Sequence, residues 1–272
     1  MNTALDMSKQ VQEKNDSLIS AKDKITTIEL KDFKGEFYKN LVDEEYKPEC
    51  IINIPEMSIK AGETVLLSGN SGTGKSTFLT FLRDGDIDNK GQIIVNGNEV
   101  VDKIGYDKVS MCEAKMRLNS YNILQDITGK TEIKSLSEEQ RNKLSEILRD
   151  LGLSNGETAD EDEFMKKCEY KSYEQFSTGQ QKRLELAKVL FAINDDSQVI
   201  LLDETVSNVQ KELGENAFKL IKKYTNRGEP KIVIMISHNI EVASKYADKR
   251  YHIDSDGTVA EIPLRTISPE ER

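Results

Sequence analysis

Tryptophan is absent from these 272 residues, and cysteine nearly so. Cys50, Cys112 and Cys168 are too few and too scattered for a disulfide framework or a cysteine zinc site. They read as reduced packing thiols of a cytosolic protein. Long apolar runs are also missing. The longest candidates, such as IVIMI at 232–236, are strand-sized, well short of the ~18 residues of a membrane span. The opening MNTALDMSKQ lacks the apolar core of a signal peptide, so the chain reads as soluble. Basic excess is lacking too: the formal net charge is −10 and the pI is near 5.0. That balance argues against broad binding to nucleic acid or anionic lipid, and no nucleic-acid partner is expected.

What is present falls into patterns. With 37% hydrophobic residues, the chain can bury a large core as one domain or as a domain plus subdomain. Residues 1–24 are polar and mixed in charge, an N-terminal extension or linker ahead of a domain at 25–272. Short apolar pieces at 25–59, broken by Gly35, Pro48 and Pro55, predict antiparallel strands. TVLLSG (64–69) reads as a buried strand. It leads through a glycine-rich loop into STFLTFLRD, a helix stopped at Gly85. GQIIVNG (91–97) predicts a strand closed by an Asn-Gly turn.

The stretch 113–176 has helical character. Ser137-Glu138-Glu139-Gln140 has the form of a capping box, and Leu144, Ile147, Leu148 and Leu151 keep helical spacing up to Gly152. ETADEDE (157–163) reads as a solvated acidic loop. Beyond it, QVILLDE (198–204) and KIVIMISH (231–238) read as buried strands flanking a helix over 209–226. YHIDSDGTVAEI predicts a hairpin around Asp256-Gly257. Strands alternating with helices make an α/β core with a largely parallel sheet, here over 25–112 and 177–262. The helical subdomain 113–176 is inserted into it, and 263–272 is a tail.

Three motifs carry chemistry. Gly69, Asn70, Ser71, Gly72, Thr73, Gly74, Lys75, Ser76 and Thr77 form a phosphate loop between a predicted strand and a predicted helix. Its amides close around the β-phosphate, Lys75 reaches the β- and γ-phosphates, and the Ser76 hydroxyl goes to Mg²⁺. Asp203 ends an apolar strand, where a carboxylate holds Mg²⁺ through its shell. Glu204 beside it is placed to polarise an attacking water. His238 ends another apolar strand near the edge where α/β sites form. His252 falls in a predicted edge strand and reads as structural. The third motif is FSTGQQKRLELAKVL (176–190). Here Ser177-Thr178-Gly179-Gln180 opens onto a basic segment, the form of a helix N-terminus that holds an anion.

With these motifs, the chain resembles the nucleotide-binding subunit of ATP-binding-cassette (ABC) ATPases over residues 25–262. The resemblance implies a P-loop NTPase cassette: a parallel-sheet core, an N-terminal antiparallel β subdomain and an inserted α-helical subdomain. It implies ATP and Mg²⁺ as cofactors, and hydrolysis to ADP and phosphate. A second cassette, identical or not, would pack head to tail, and Ser177, Thr178, Gly179 and Gln180 would contact the ATP held by that partner. His238 would contact the γ-phosphate. Tyr46 would stack on adenine, with Tyr38 as the second choice. Glu113 would occupy the place of a glutamine near the metal, with Gln125 as the alternative. A transmembrane permease would be the other partner, which sets the chain in the cytoplasm at the inner face of a membrane.

Departures from the family pattern are Thr205, where proline is usual, and Ser207-Asn208-Val209-Gln210, which lacks the usual carboxylate. Two rival readings are a soluble ABC ATPase serving an assembly such as iron–sulfur biogenesis, and a DNA-repair or chromosome ATPase. The latter needs a long coiled coil between the motifs, and only about a hundred residues without sustained heptads lie there.

Overall fold

The computed structural model describes residues 24–37, 50–85, 88–105, 107–112, 122–154, 158–193, 197–204 and 211–264. Tyr38, Tyr46, Glu113, Thr205, residues 207–210 and the terminal segments 1–23 and 265–272 lie outside these. Along the chain come β1 (Thr27–Phe37), β2 (Cys50–Lys60), β3 (Thr64–Gly69), α1 (Lys75–Asp84), β4 (Asp88–Val95), β5 (Glu99–Val101) and β6 (Val109–Cys112). Next are α2 (Ile123–Thr128), α3 (Glu138–Asp150), α4 (Thr158–Tyr170) and α5 (Thr178–Ala192). The last part holds β7 (Val199–Asp203), α6 (Lys211–Thr225), β8 (Ile232–Ile236), α7 (Ile240–Ala243), β9 (Lys249–Ile253) and β10 (Val259–Ile262).

Two sheets result. One is antiparallel, in the order β2-β1-β4-β5. The expected breaks at Gly35 and Pro55 do not interrupt it. Pro55 lies in β2, the edge strand, where a missing N–H is tolerated, near Asp32 (φ 48), where β1 shifts register against β4. The second sheet runs β10-β9-β3-β8-β7-β6. Its five strands from β9 to β6 pair in parallel, and β10 alone is antiparallel. β7 and β8 are buried at every position, as strands covered on both faces require.

The two faces of this sheet feed separate cores. Val65, Leu67, Leu201 and Ile234 join Phe78 and Phe81 of α1 and the apolar face of β1 and β2. Leu66, Ile200, Leu202 and Val233 join the helices of the inserted subdomain and Phe218 of α6. The alternation along each strand is the period-2 rule at work.

Two expectations change. The acidic run 157–163 is not a loop: from Thr158 it forms the first turns of α4, whose Phe164, Met165 and Cys168 are buried. Carboxylates suit the positive end of a helix, so a dense acidic run is compatible with a helix start. β9, which carries His252, is not an edge strand, since β10 covers its outer side.

Candidate functional site

The loop after β3 starts with a close approach. Gly69 has φ +144, and a Cβ there would lie 2.5 Å from the Ile253 carbonyl oxygen, so no side chain fits. The Thr73 hydroxyl donates to the Asn70 carbonyl at 3.0 Å and closes the turn. Gly74 is the N-cap of α1. It supplies no side-chain cap, and no acidic residue lies in the first turn. The positive end of this helix is therefore left for an anion. Lys75 is buried, and its ammonium donates to the carbonyls of Gly69 and Asn70 at 2.8 and 2.6 Å. Ser71, Gly72, Ser76 and Thr77 are at least partly exposed around it.

Strand order brings the second motif to the same edge. β8 separates β3 from β7, all three are parallel, and both Leu67 and Asp203 align with Ile236. The C-terminal ends of the strands therefore gather, the usual place for ligands in such sheets. Asp203 is buried at the end of β7. Glu204 comes next with φ 48, a left-handed value uncommon outside glycine and typical of functional sites when it occurs. Its amide donates to the Ile236 carbonyl at 3.1 Å, which fixes the turn to β8. Its Oε1 stands 2.8 Å from His238 Nε2, with the glutamate 29% and the histidine 61% exposed. A carboxylate and an imidazole in contact, both open to solvent, form a unit able to orient a water and a charged group.

The third motif caps α5. Ser177 Oγ accepts from the Gln180 amide, and Gln180 Oε1 accepts from the Ser177 amide. Ser177, Thr178 and Gly179 are exposed, and the first turn holds no acidic residue. The loop's neighbours belong to the helical subdomain: Gln181 Nε2 donates to the Tyr173 carbonyl at 3.0 Å. Gln125 is an exposed residue of α2.

Oxygen donors suited to Mg²⁺ are at hand in the Asp203 carboxylate and the Ser76 hydroxyl. Among the described residues no cluster of three or more His, Cys, Asp or Glu forms a metal cage. Two hard donors that leave room for waters and phosphate oxygens fit the way this ion is usually held.

Sequence reasoning missed a network behind the phosphate loop. Arg250 of β9 is fully buried, and its Nε donates to Ser68 Oγ at 2.9 Å. The same hydroxyl lies 3.1 Å from Nδ1 of His252, which is also buried. Ser68 directly precedes Gly69, so the network fixes the strand end on which the loop is built. The signal was available: a basic residue two places from a histidine in a strand shares its face, and a buried charge needs polar partners.

The profile of a family described as ABC transporter matches residues 52–207, more than half of the chain. The glutamine transport ATP-binding protein GlnQ of Escherichia coli (strain K12) is 26% identical over 82% of this chain and 89% of its own length. The nopaline permease ATP-binding protein P of Agrobacterium fabrum is 28% identical over 79% of this chain and 87% of its own. The macrolide export ATP-binding/permease protein MacB of Bartonella henselae is 27% identical over 75% of this chain, which spans only 29% of that protein. Among solved structures, a bacterial Atm1-family ABC exporter with ATP bound superposes with TM-score 0.65 at 16% identity, covering 90% of this chain and 39% of its own. The ADP conformation of MJ1267, an ATP-binding cassette of an ABC transporter, does so with TM-score 0.60 at 17% identity, covering 87% and 90%. No helix of the described residues is long and apolar enough to cross a membrane.

Proposed function

Because the chain belongs to the ABC transporter family, we propose that it hydrolyses ATP, with Mg²⁺, in a head-to-tail dimer that powers a membrane permease. The contact that supports this most is Glu204 with His238 at 2.8 Å, on the sheet edge that also carries the phosphate loop. The α1 N-terminus and Lys75 bind the triphosphate and stabilise charge on the transferred group. Asp203 and Ser76 would hold Mg²⁺, which when bound neutralises phosphate charge. Glu204 Oε1 accepts a hydrogen bond from the attacking water and raises its nucleophilicity. His238 steadies that carboxylate and reaches the γ-phosphate. Residues 177–180, exposed at the start of α5, serve the nucleotide of the second cassette. Tyr46 as the adenine platform and Glu113 near the metal belong to the same reading.

Three measurements test it together. Specific ATPase activity should rise with protein concentration across the monomer–dimer range. Glu204→Gln should keep ATP binding and lower turnover by about a hundredfold or more. Lys75→Ala should instead weaken nucleotide binding itself. Concentration-independent activity would refute the dimer mechanism, and wild-type turnover in Glu204→Gln would remove the glutamate from the chemistry.

A further inference from the structure

Helices α3 and α5 cap each other. Lys143 of α3 donates to the Phe191 carbonyl at 2.9 Å and also to that of Ile193, at the C-terminal end of α5. Arg183 of α5 donates through Nη1 to the Leu151 and Gly152 carbonyls, at 3.2 and 2.7 Å, at the C-terminal end of α3. Such terminal carbonyls have no intrahelical donor, and a cation there also meets the negative end of the helix. Lys143 bonds the far end of α5. Arg183 uses its Nε as well, donating to the Gly179 carbonyl at 3.0 Å. One planar guanidinium thus joins the first turn of its own helix, at Gly179, to the end of a neighbouring helix.

That neighbour is itself fastened to the core. Glu146 of α3 pairs with Arg227 and with Lys223 (3.2 Å), Asp150 pairs with Lys223, and the Tyr224 hydroxyl donates to Asp150 at 3.3 Å. Lys223 and Tyr224 belong to α6, which packs on the parallel sheet. A continuous run of contacts therefore leads from α6 through α3 and Arg183 to the Gly179 carbonyl.

We propose that Arg183 is a positioning residue that sets the orientation of residues 177–180, the cap and first turn of α5, toward the partner cassette's triphosphate. This rests on the proposed dimer, in which those residues are ligands in trans. The guanidinium's fork is needed because the first turn of α5 and the end of α3 must be bonded at once. A lysine ammonium at this place, a point donor on a flexible stem, holds the two in no fixed relation.

The test mixes variants of the full chain. In a head-to-tail dimer, each site takes its phosphate loop from one chain and residues 177–180 from the other. Lys75→Ala and Ser177→Arg should each be inactive alone. Mixed one to one they should recover about a quarter of wild-type ATPase activity, since half of the dimers are mixed and each of those keeps one complete site. Arg183→Met alone should lower turnover roughly tenfold to a hundredfold, the range expected of a misplaced contact, with little change in ATP affinity of the monomer. Mixed with Lys75→Ala it should recover activity as Ser177→Arg does. Lys143→Met, which removes the reciprocal cap at the C-terminal end of α5, should keep turnover within about twofold. Arg183→Lys, which keeps the charge, carries the test if the methionine variant does not fold, and it should also fall short of wild type.

Failure of Ser177→Arg and Lys75→Ala to complement overturns the dimer reading, and the role of Arg183 with it. Complementation there without complementation by the Arg183 variant overturns the role of Arg183 alone. Equal losses in Arg183→Met and Lys143→Met do the same, because they point to general stability.

Discussion

Helices α3 and α5 start from the same device. Ser137 with Gln140, and Ser177 with Gln180, exchange reciprocal hydrogen bonds in capping boxes. Their first turns differ. α3 continues with Glu138 and Glu139, whereas α5 continues with Thr178 and Gly179 and no acidic residue. The box satisfies two amides in both helices, so it says nothing about ligands. The charge of the first turn does: glutamates already compensate the positive end of α3, whereas the first turn of α5 has none, in keeping with the anion contact proposed for it.

Exchanging the two first turns is the strongest way to break this contrast. If residues 177–180 serve the partner's nucleotide as proposed, Thr178→Glu should lower ATPase turnover roughly a hundredfold and abolish ATP-dependent dimerisation, through repulsion of that triphosphate. Its thermal stability should hold or rise slightly, because a carboxylate there favours the helix by about 0.3–1 kcal/mol. Turnover assays beside a melting curve separate the two effects. Glu138→Thr in α3 should do the opposite, with a small stability loss and unchanged hydrolysis.

Removing the shared cap sharpens the contrast further. Ser137→Ala and Ser177→Ala should each destabilise by about 1 kcal/mol in urea titrations. Only Ser177→Ala should also slow hydrolysis, by roughly tenfold, because a neutral hydrogen bond to phosphate is then lost. Equal turnover in the two variants would mean that Ser177 is a cap and nothing more.

A smaller difference concerns how the helices are held. α5 buries Leu184, Leu186, Ala187, Val189 and Leu190, whereas α3 adds ion pairs to a shorter apolar stripe. Glu146 is lowered from 4.5 to about 2, chiefly by its hydrogen bond to Arg227, with Lys223 adding to it. A carboxylate lowered on folding contributes stability that is complete above its unfolded value near 4.5. That contribution is lost as pH falls toward 2. Glu146→Gln should therefore lower the urea midpoint at pH 7, and the gap to wild type should narrow as pH drops from 4.5 toward 2. High salt should shrink it as well, since the pair is partly exposed.

The smallest effect is expected at Cys168 of α4. Burial pushes its thiol up to about 12, so thiol reagents should not modify it in the native protein at neutral pH. Counting modified thiols before and after denaturation checks this.

Much of the site was legible because its parts are local. The phosphate loop needs only glycines at fixed spacing between a strand and a helix, and VILLDE announces a buried strand ending in carboxylates. The contact between Glu204 and His238 was not legible, since it arises from β7 and β8 lying side by side. Arg183 was visible as part of a basic segment, but its bond to α3 depends on tertiary packing. The acidic run was misread because its charge outweighed a helical signal: Phe164, Met165 and Cys168, at i, i+1 and i+4, mark one face of α4.

The parallel sheet also has a consequence for synthesis. β1, β2, β4 and β5 pair with strands close in sequence, so their sheet can form while the chain is still emerging. β3 sits at the centre of the other sheet, yet both of its neighbours, β8 and β9, begin only at Ile232 and Lys249. At roughly 5–20 residues per second, the ribosome needs about 10–30 s to travel from the end of β3 to the start of β8. Throughout that interval an apolar strand with two open edges is attached to a nascent chain, a species prone to aggregate. Ribosome-bound chains that stop before residue 232 should therefore recruit holdase chaperones, and the full chain, once released from the ribosome, should shed them.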